Sequence, residues 1–313
     1  MANNVSAGAG PSLGTGLPGA PVNLKGRSRP GETVIKFALF VSAMLSIFIT
    51  FGIVVALVRP VIDFFGEVPF GEFFSFDEST RFAVGPLIVA TLMTTFIALL
   101  VAVPLGLGAA MYLSEYASPR VRKYLKPTVE LLAGVPSVVY GFFAVTFVTP
   151  TLLQDILSLD VGFTNALAAG LVLGVMFIPT IASLSEDAFT AVPQALRQGS
   201  LAMGANRMQT TVRVVLPAAL SGVAAAVVLG LSRAVGETMI VALAAGSQKN
   251  LSLNPMEGMQ TMTGFMATTA GGENPVGSTS YNTLFAVGLT LFAITLVINM
   301  ISIALVRRYR QAY

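Results

Sequence analysis

Six apolar stretches, at about residues 34–58, 84–113, 128–150, 163–185, 217–246 and 282–306, dominate this sequence. Each is long enough for a helix to cross roughly 30 Å of hydrocarbon. A chain built this way satisfies its backbone within helices and presents its side chains to lipid, so the fold class it predicts is an all-α membrane protein with six transmembrane helices. Composition agrees, since 54% of the residues are hydrophobic and 11% charged, against about 25% charged in soluble domains.

The sequence contains no Cys, His or Trp. Thiolate and imidazole metal sites, Cys or Ser-His nucleophiles and disulfides are thereby excluded, and the polar chemistry left is that of carboxylates, Arg, Lys, Ser, Thr and Tyr. Enzyme chemistry is disfavoured. The net charge of +3 reports topology rather than nucleic acid, because the basic residues fall mainly in alternate loops. Four lie at the start (Lys25, Arg27, Arg29, Lys36) and four between spans two and three (Arg120, Arg122, Lys123, Lys126). Three more lie between spans four and five (Arg197, Arg207, Arg213), and three close the chain (Arg307, Arg308, Arg310). The opposite loops hold only Arg59, Arg81 and Lys249. Fourteen against three places both termini in the cytoplasm.

Residues 1–33, rich in Gly, Pro, Ala, Ser and Asn, are expected to form a flexible cytoplasmic tail, and 307–313 a cytoplasmic C-terminus. The 34–58 run is too long for a signal-peptide core and lacks a small-residue cleavage pattern, so it is expected to stay as the first span. The outer loop 59–83 carries FFGEVPFGEFFSF, the composition of a helix resting at the headgroups or of a docking surface. The last outer loop, 247–281, rich in Gly, Thr, Ser and Met, reads equally as a partner contact or an adaptable linker. Lys126 and Glu130 have the spacing of a helical ion pair, and Gly134 with Pro136 is expected to kink span three or open its backbone.

Arg233 and Glu237 stand four residues apart inside span five, in LGLSRAVGETMIV, which predicts that they share one helix face. An Arg in a span costs about 2.5–3.5 kcal/mol on insertion scales, so it must face protein or water. Either it marks a pathway or the two residues neutralise each other and fix packing. Ala218, Gly222, Ala226, Gly230 and Ala234 form a small-residue ridge beside them, suited to close helix approach. A guanidinium fork suits a tetrahedral oxyanion, and Glu237 with the Thr238 hydroxyl would favour a protonated one, as phosphate is and sulfate is not.

The inner segment 187–216 has two short helical patterns broken around Gly204. It resembles the coupling loop of ABC importer permeases, in which an EAA triplet is followed at fixed distances by Gly, an apolar residue, Leu and Pro. Gln198, Gly199 and Ser200 occupy the triplet, and Gly204, Val214, Leu216 and Pro217 the later marks. Gln198 replaces the acidic first residue, which removes any salt bridge made from that position. The runs LPAALSGVAAAVVLGLSRAVGETMIV, ELLAGVPSVVYGFF and PLGLGAAMYLSEYAS resemble phosphate-specific permeases, and GETMIVALAAG the PstC type, over residues 84–306.

That resemblance implies the ABC importer permease fold with cytoplasmic coupling helices, in a bacterial inner membrane. It implies a PstA-type second permease, a cytoplasmic ATPase dimer binding ATP and Mg, an extracytoplasmic phosphate-binding protein, and alternating access. Consistently, no Lys of this chain lies in a G-x-x-x-x-G-K-[ST] phosphate loop. No cofactor, metal or nucleic acid is expected on this chain. The rivals are a self-sufficient anion carrier, for which matched inverted repeats are not evident, an ABC permease for sulfate or molybdate, and a scaffold.

Overall fold

The computed structural model describes residues 30–309, so the expected tail at 1–29 and residues 310–313 lie outside the described residues. The described residues are nearly all helical: α1 (Pro30–Glu67), α2 (Phe70–Phe73), α3 (Gly85–Met111), α4 (Pro119–Ala133), α5 (Ser137–Phe143), α6 (Ala166–Thr190), α7 (Gln194–Ala202), α8 (Arg207–Thr210), α9 (Leu216–Val235), α10 (Met239–Ala244), α11 (Met262–Gly271) and α12 (Thr279–Tyr309). Wide π-type turns extend α3 through Tyr112–Tyr116, α5 through Ala144–Ile156, and join α8 to α9 through Thr211–Val215. Six of the resulting helices are long and apolar enough to cross a membrane.

The chain divides into two compact units at Ile53. The described part of the first is helix, with Val34, Phe37 and Phe48 exposed. In the second, from Val54, α6 is the most enclosed span, with 61% of its most apolar stretch buried. Its small residues explain this. Gly170 lies against Ile97 and Gly174 against the Ala98 carbonyl, so that α3 and α6 approach almost backbone to backbone. The ridge read from the sequence also packs on α6, Gly222 meeting Ala188 and Gly230 meeting Ile181, which Gly106 of α3 touches as well. Phe96, Leu100, Phe292 and Met300 remain exposed, a surface that lipid solvates and water would not.

Three segments differ from the sequence reading. The run 128–150 is not one span: Gly134 ends α4, Pro136 precedes α5, and the membrane-crossing helix is Ser137–Ile156. Pro136 lacks the N–H that a continuing helix would need, so the chain breaks rather than bends. The segment 59–83 begins inside α1, and part of its aromatic run packs on itself while Phe70, Phe74 and Phe76 stay exposed. Phe64 and Phe73 are fully buried, with rings edge to face at 5.4 Å. The linker 247–281 contains α11, whose first turn is capped by the Thr261 hydroxyl accepting from the Gly264 amide at 3.1 Å.

A Cβ at Gly174 would stand 2.8 Å from the Ala98 carbonyl oxygen. Gly174→Ala is therefore expected to lower stability by about 1–3 kcal/mol through overpacking, despite its better helix propensity. Thermal unfolding in detergent checks this, and an unchanged midpoint would mean that α3 and α6 yield there.

Candidate functional site

Span five does not run on to 246 as expected. α9 stops at Val235, Gly236 caps it, and Glu237 and Thr238 form the gap before α10. Gly has low helix propensity, and the Glu237 side chain takes over an amide that the helix would have used: its carboxylate accepts from the Met239 N–H at 3.2 Å. The Glu237 carbonyl accepts from the Thr263 hydroxyl at 2.6 Å, which ties the break to α11. The Thr238 hydroxyl donates to the Gly236 carbonyl at 3.4 Å.

Arg233 and Glu237 consequently do not share a helix face, which corrects the sequence reading. Arg233 occupies the last turn of α9, where a cation suits the negative end of the helix dipole. Its guanidinium lies 5.7 Å from the Phe177 ring centroid and is exposed. No carboxylate pairs with it among the described residues. The two side chains therefore do not neutralise each other in this structure, and among the described residues no acid lies within ion-pair distance of the guanidinium. Glu237 and Thr238 are half-buried.

The coupling segment folds as two short helices. α7 carries Gln198, Gly199 and Ser200; Gln198 and Gly199 are exposed. Gly204 has φ +87°, a left-handed conformation that ends α7 and that a side chain would strain. Asn206 and Gln209 cap α8 reciprocally, and the Ser200 and Thr210 hydroxyls meet at 2.9 Å, closing the hairpin. Val214 and Leu216 are half-buried, and Pro217 falls in the first turn of α9, where its missing amide costs nothing. Met203 and Met208 stand out from the hairpin, 88% and 62% exposed.

Residues 102–311 match the family described as binding-protein-dependent transport system inner membrane component. The chain belongs to that family. It is 39% identical over 232 residues to the probable ABC transporter permease protein YqgH of Bacillus subtilis, covering 74% of this chain and 72% of the relative. It is 38% identical over 244 residues to the phosphate transport system permease protein PstC 1 of Mycobacterium tuberculosis, covering 71% and 72%. In fold it is similar to a chain of a bacterial alginate ABC transporter, with TM-score 0.63 at 20% identity, covering 90% of this chain and 98% of that one. The protein is thus a multi-pass permease subunit of an ABC importer, a transporter component rather than an enzyme.

The permease also contains two ionic clusters that the sequence reading missed. Glu186, fully buried near the end of α6, accepts from Arg122 and, at 2.6 Å, from Lys126, both on α4. Lys126 also pairs with Asp187 at 2.8 Å. The expected Lys126–Glu130 pair is therefore not formed, because the α4 face bearing Lys126 packs against α6 while Glu130 stays exposed. The bonds to Asp187 and then Glu186 hold the Lys126 ammonium above its ordinary pKa of 10.5. The second cluster joins Arg197 of α7 to Glu115 at the end of span two, at 2.9 Å. Glu186 and Glu115 stand in SEDAFTAV and YLSEYAS, and an acid at the end of an apolar span was the available signal.

Replacing Arg122 and Lys126 together by Gln leaves the buried Glu186 carboxylate with no cation and only the Thr190 hydroxyl donating to it at 3.1 Å, and is expected to cost about 3–5 kcal/mol. Glu186→Gln leaves two cations that can turn to water, and is expected to cost about 1–2 kcal/mol. Denaturation midpoints should fall in that order, and the reverse order would refute the cluster as drawn. Because the folded-state pKa of Lys126 is raised, its contribution is complete below pH 10.5 and declines as the pH rises through the folded value. The parent's stability should accordingly fall at alkaline pH more than that of Lys126→Met.

Proposed function

We propose that this permease carries inorganic phosphate inward as half of a translocation pathway whose other half is a PstA-type permease. In this reading a cytoplasmic ATPase dimer binds ATP and Mg and grips the α7–α8 hairpin, and an extracytoplasmic phosphate-binding protein delivers the ion. The protein sits in a bacterial inner membrane with both termini cytoplasmic, which the fourteen-to-three bias of basic residues supports. The name of the mycobacterial relative supports the substrate.

The observation that carries the reading is Arg233, a guanidinium in the last turn of a spanning helix, with no acid to neutralise it among the described residues. Its charge offsets part of what an anion loses on leaving water, and its planar donors match two oxygens of a tetrahedral ion. Close by in sequence, the Glu237 carboxylate repels a fully ionised anion but accepts a hydrogen bond from one that keeps a proton, as phosphate does at neutral pH. The Thr238 hydroxyl both donates and accepts, so it tolerates either phosphate species. Selection then falls on protonated oxyanions, with the binding protein sharing the discrimination.

Coupling needs a surface that moves as a body. The Gly204 turn, the Asn206–Gln209 cap and the Ser200–Thr210 contact stiffen the hairpin, while Met203 and Met208 offer adaptable apolar contacts for a partner. Gln198 stands where the family's triplet begins with an acidic residue, so this contact rests on shape and apolar area rather than on an ion pair made from that position.

In proteoliposomes holding the assembled transporter, Arg233→Gln is expected to lower phosphate uptake about ten- to a hundredfold, the value of a charged hydrogen bond. Glu237→Gln should instead let sulfate compete with labelled phosphate, which it should not do in the parent. Unchanged uptake and unchanged competition in both variants would leave these residues a packing role only. Purification should bring down an ATPase and a second permease; uptake by the isolated chain on an ion gradient would favour a carrier.

A further inference from the structure

Of the two arms of the hairpin, α8 continues through Thr211–Val215 into span five, whereas α7 is held more loosely. No residue of α7 is buried, and its links to the rest are the Ser200–Thr210 contact, partial burial of Leu196 and one side chain, Arg197. Building on the coupling role proposed above, we infer that Arg197 is a positioning residue that locks α7 to the ends of two spans, so that displacement of the hairpin becomes displacement of both.

The geometry is specific to a guanidinium. Nε donates to both oxygens of Glu115, at 3.3 and 3.4 Å, and Nη2 donates to Glu115 Oε1 at 2.9 Å. Nη2 also donates to the Phe189 carbonyl at 2.7 Å, and Nη1 to the Val192 carbonyl. Glu115 lies in the wide turn that ends span two, and Phe189 and Val192 flank Thr190, the last residue of α6. The Phe189 carbonyl already accepts from the Val192 amide at 3.1 Å and takes the guanidinium on its second lone pair, so one cation braces the turn that ends α6 while holding the end of span two. Arg197 and Glu115 are only 11% and 12% exposed, which shields the pair from water and salt.

The rest of the segment sharpens the assignment. Residues 194–217 contain no acid and three arginines, Arg197, Arg207 and Arg213. Among the described residues, only Arg197 of the three forms an ion pair. A Lys at 197 would keep the charge but has a single nitrogen, which cannot reach a carboxylate and two carbonyls from three directions at once. The assignment therefore separates charge from geometry.

The test uses the assembled transporter in proteoliposomes, with ATP hydrolysis and phosphate uptake followed in parallel and normalised to intact complex. Arg197→Lys and Glu115→Gln are expected to hydrolyse ATP at near-parental rates while phosphate imported per ATP falls about tenfold. Arg120→Gln, on exposed α4 surface, serves as the control. The native sequence has no cysteine, so spin labels at Tyr116→Cys and Ala195→Cys report the lock without reference to substrate. The parent should give one narrow distance with and without nucleotide, and Arg197→Lys a broad one. An unchanged import ratio with equally narrow distances would overturn the inference. So would variants that fail to assemble or that lose both activities in proportion, since that is a purely stabilising role. A parent complex that imports no phosphate contradicts the substrate proposed above, while the label distances still decide the lock.

Discussion

Lipid offers no hydrogen bond to a peptide group, so a helix that stops within a spanning unit must hand its loose amides and carbonyls to other parts of the protein or to water. At Gly236–Thr238 the handover is explicit: the Glu237 carboxylate takes the Met239 amide and the Thr263 hydroxyl takes the Glu237 carbonyl. A carboxylate and a broken backbone at the end of α9 are therefore compatible with each other and incompatible with a lipid-facing position. The same constraint reaches Arg233 one turn earlier, because a guanidinium without an acid partner is tolerable only where water or an anion can approach it.

The charged residues divide into two populations by how completely they are satisfied. At the basic-loop ends of the spans, Glu186 and Arg197 are enclosed and engaged by several partners each, and they hold α4, α6, α7 and span two in fixed relation. Such clusters specify geometry more than they stabilise it, since desolvation offsets much of their attraction. Arg233, beside the Phe177 ring and in no ion pair among the described residues, belongs to the other population. On the function proposed above, structure is tied down where the ATPase would push and a cation is left available where the backbone opens, so that a rigid end transmits displacement and an open, charged gap receives it.

Much of this was legible in the amino-acid sequence, for physical reasons that differ from part to part. Spans are set by length and hydropathy alone, so six could be counted. The small-residue ridge of α9 and the Gly204 turn were readable because each encodes a local steric demand. Helix breaks were harder: hydropathy runs unbroken through Gly134–Pro136 and Gly236–Thr238, and a break is decided by tertiary partners such as Thr263. The acids at the span ends were visible, but their partners were not, because Glu115 and Arg197, or Lys126 and Glu186, lie far apart in sequence and no local pattern links them. The nearby Lys126–Glu130 spacing drew attention instead, and packing against α6 overrode it.

The central claim is that the interruption after α9 lies beside an aqueous route, with Arg233 placed to meet an anion there. Its most direct measurement exploits the absence of native cysteine and the room at Gly236, where an added Cβ would come no closer than 3.8 Å to another atom. In the assembled transporter, Gly236→Cys should react with a small anionic thiol reagent, at a rate that changes between nucleotide-free and ATP-bound states and falls when phosphate is present. A thiol at 236 that stays unreactive in every state, although the protein is folded and the complex assembled, would contradict the account.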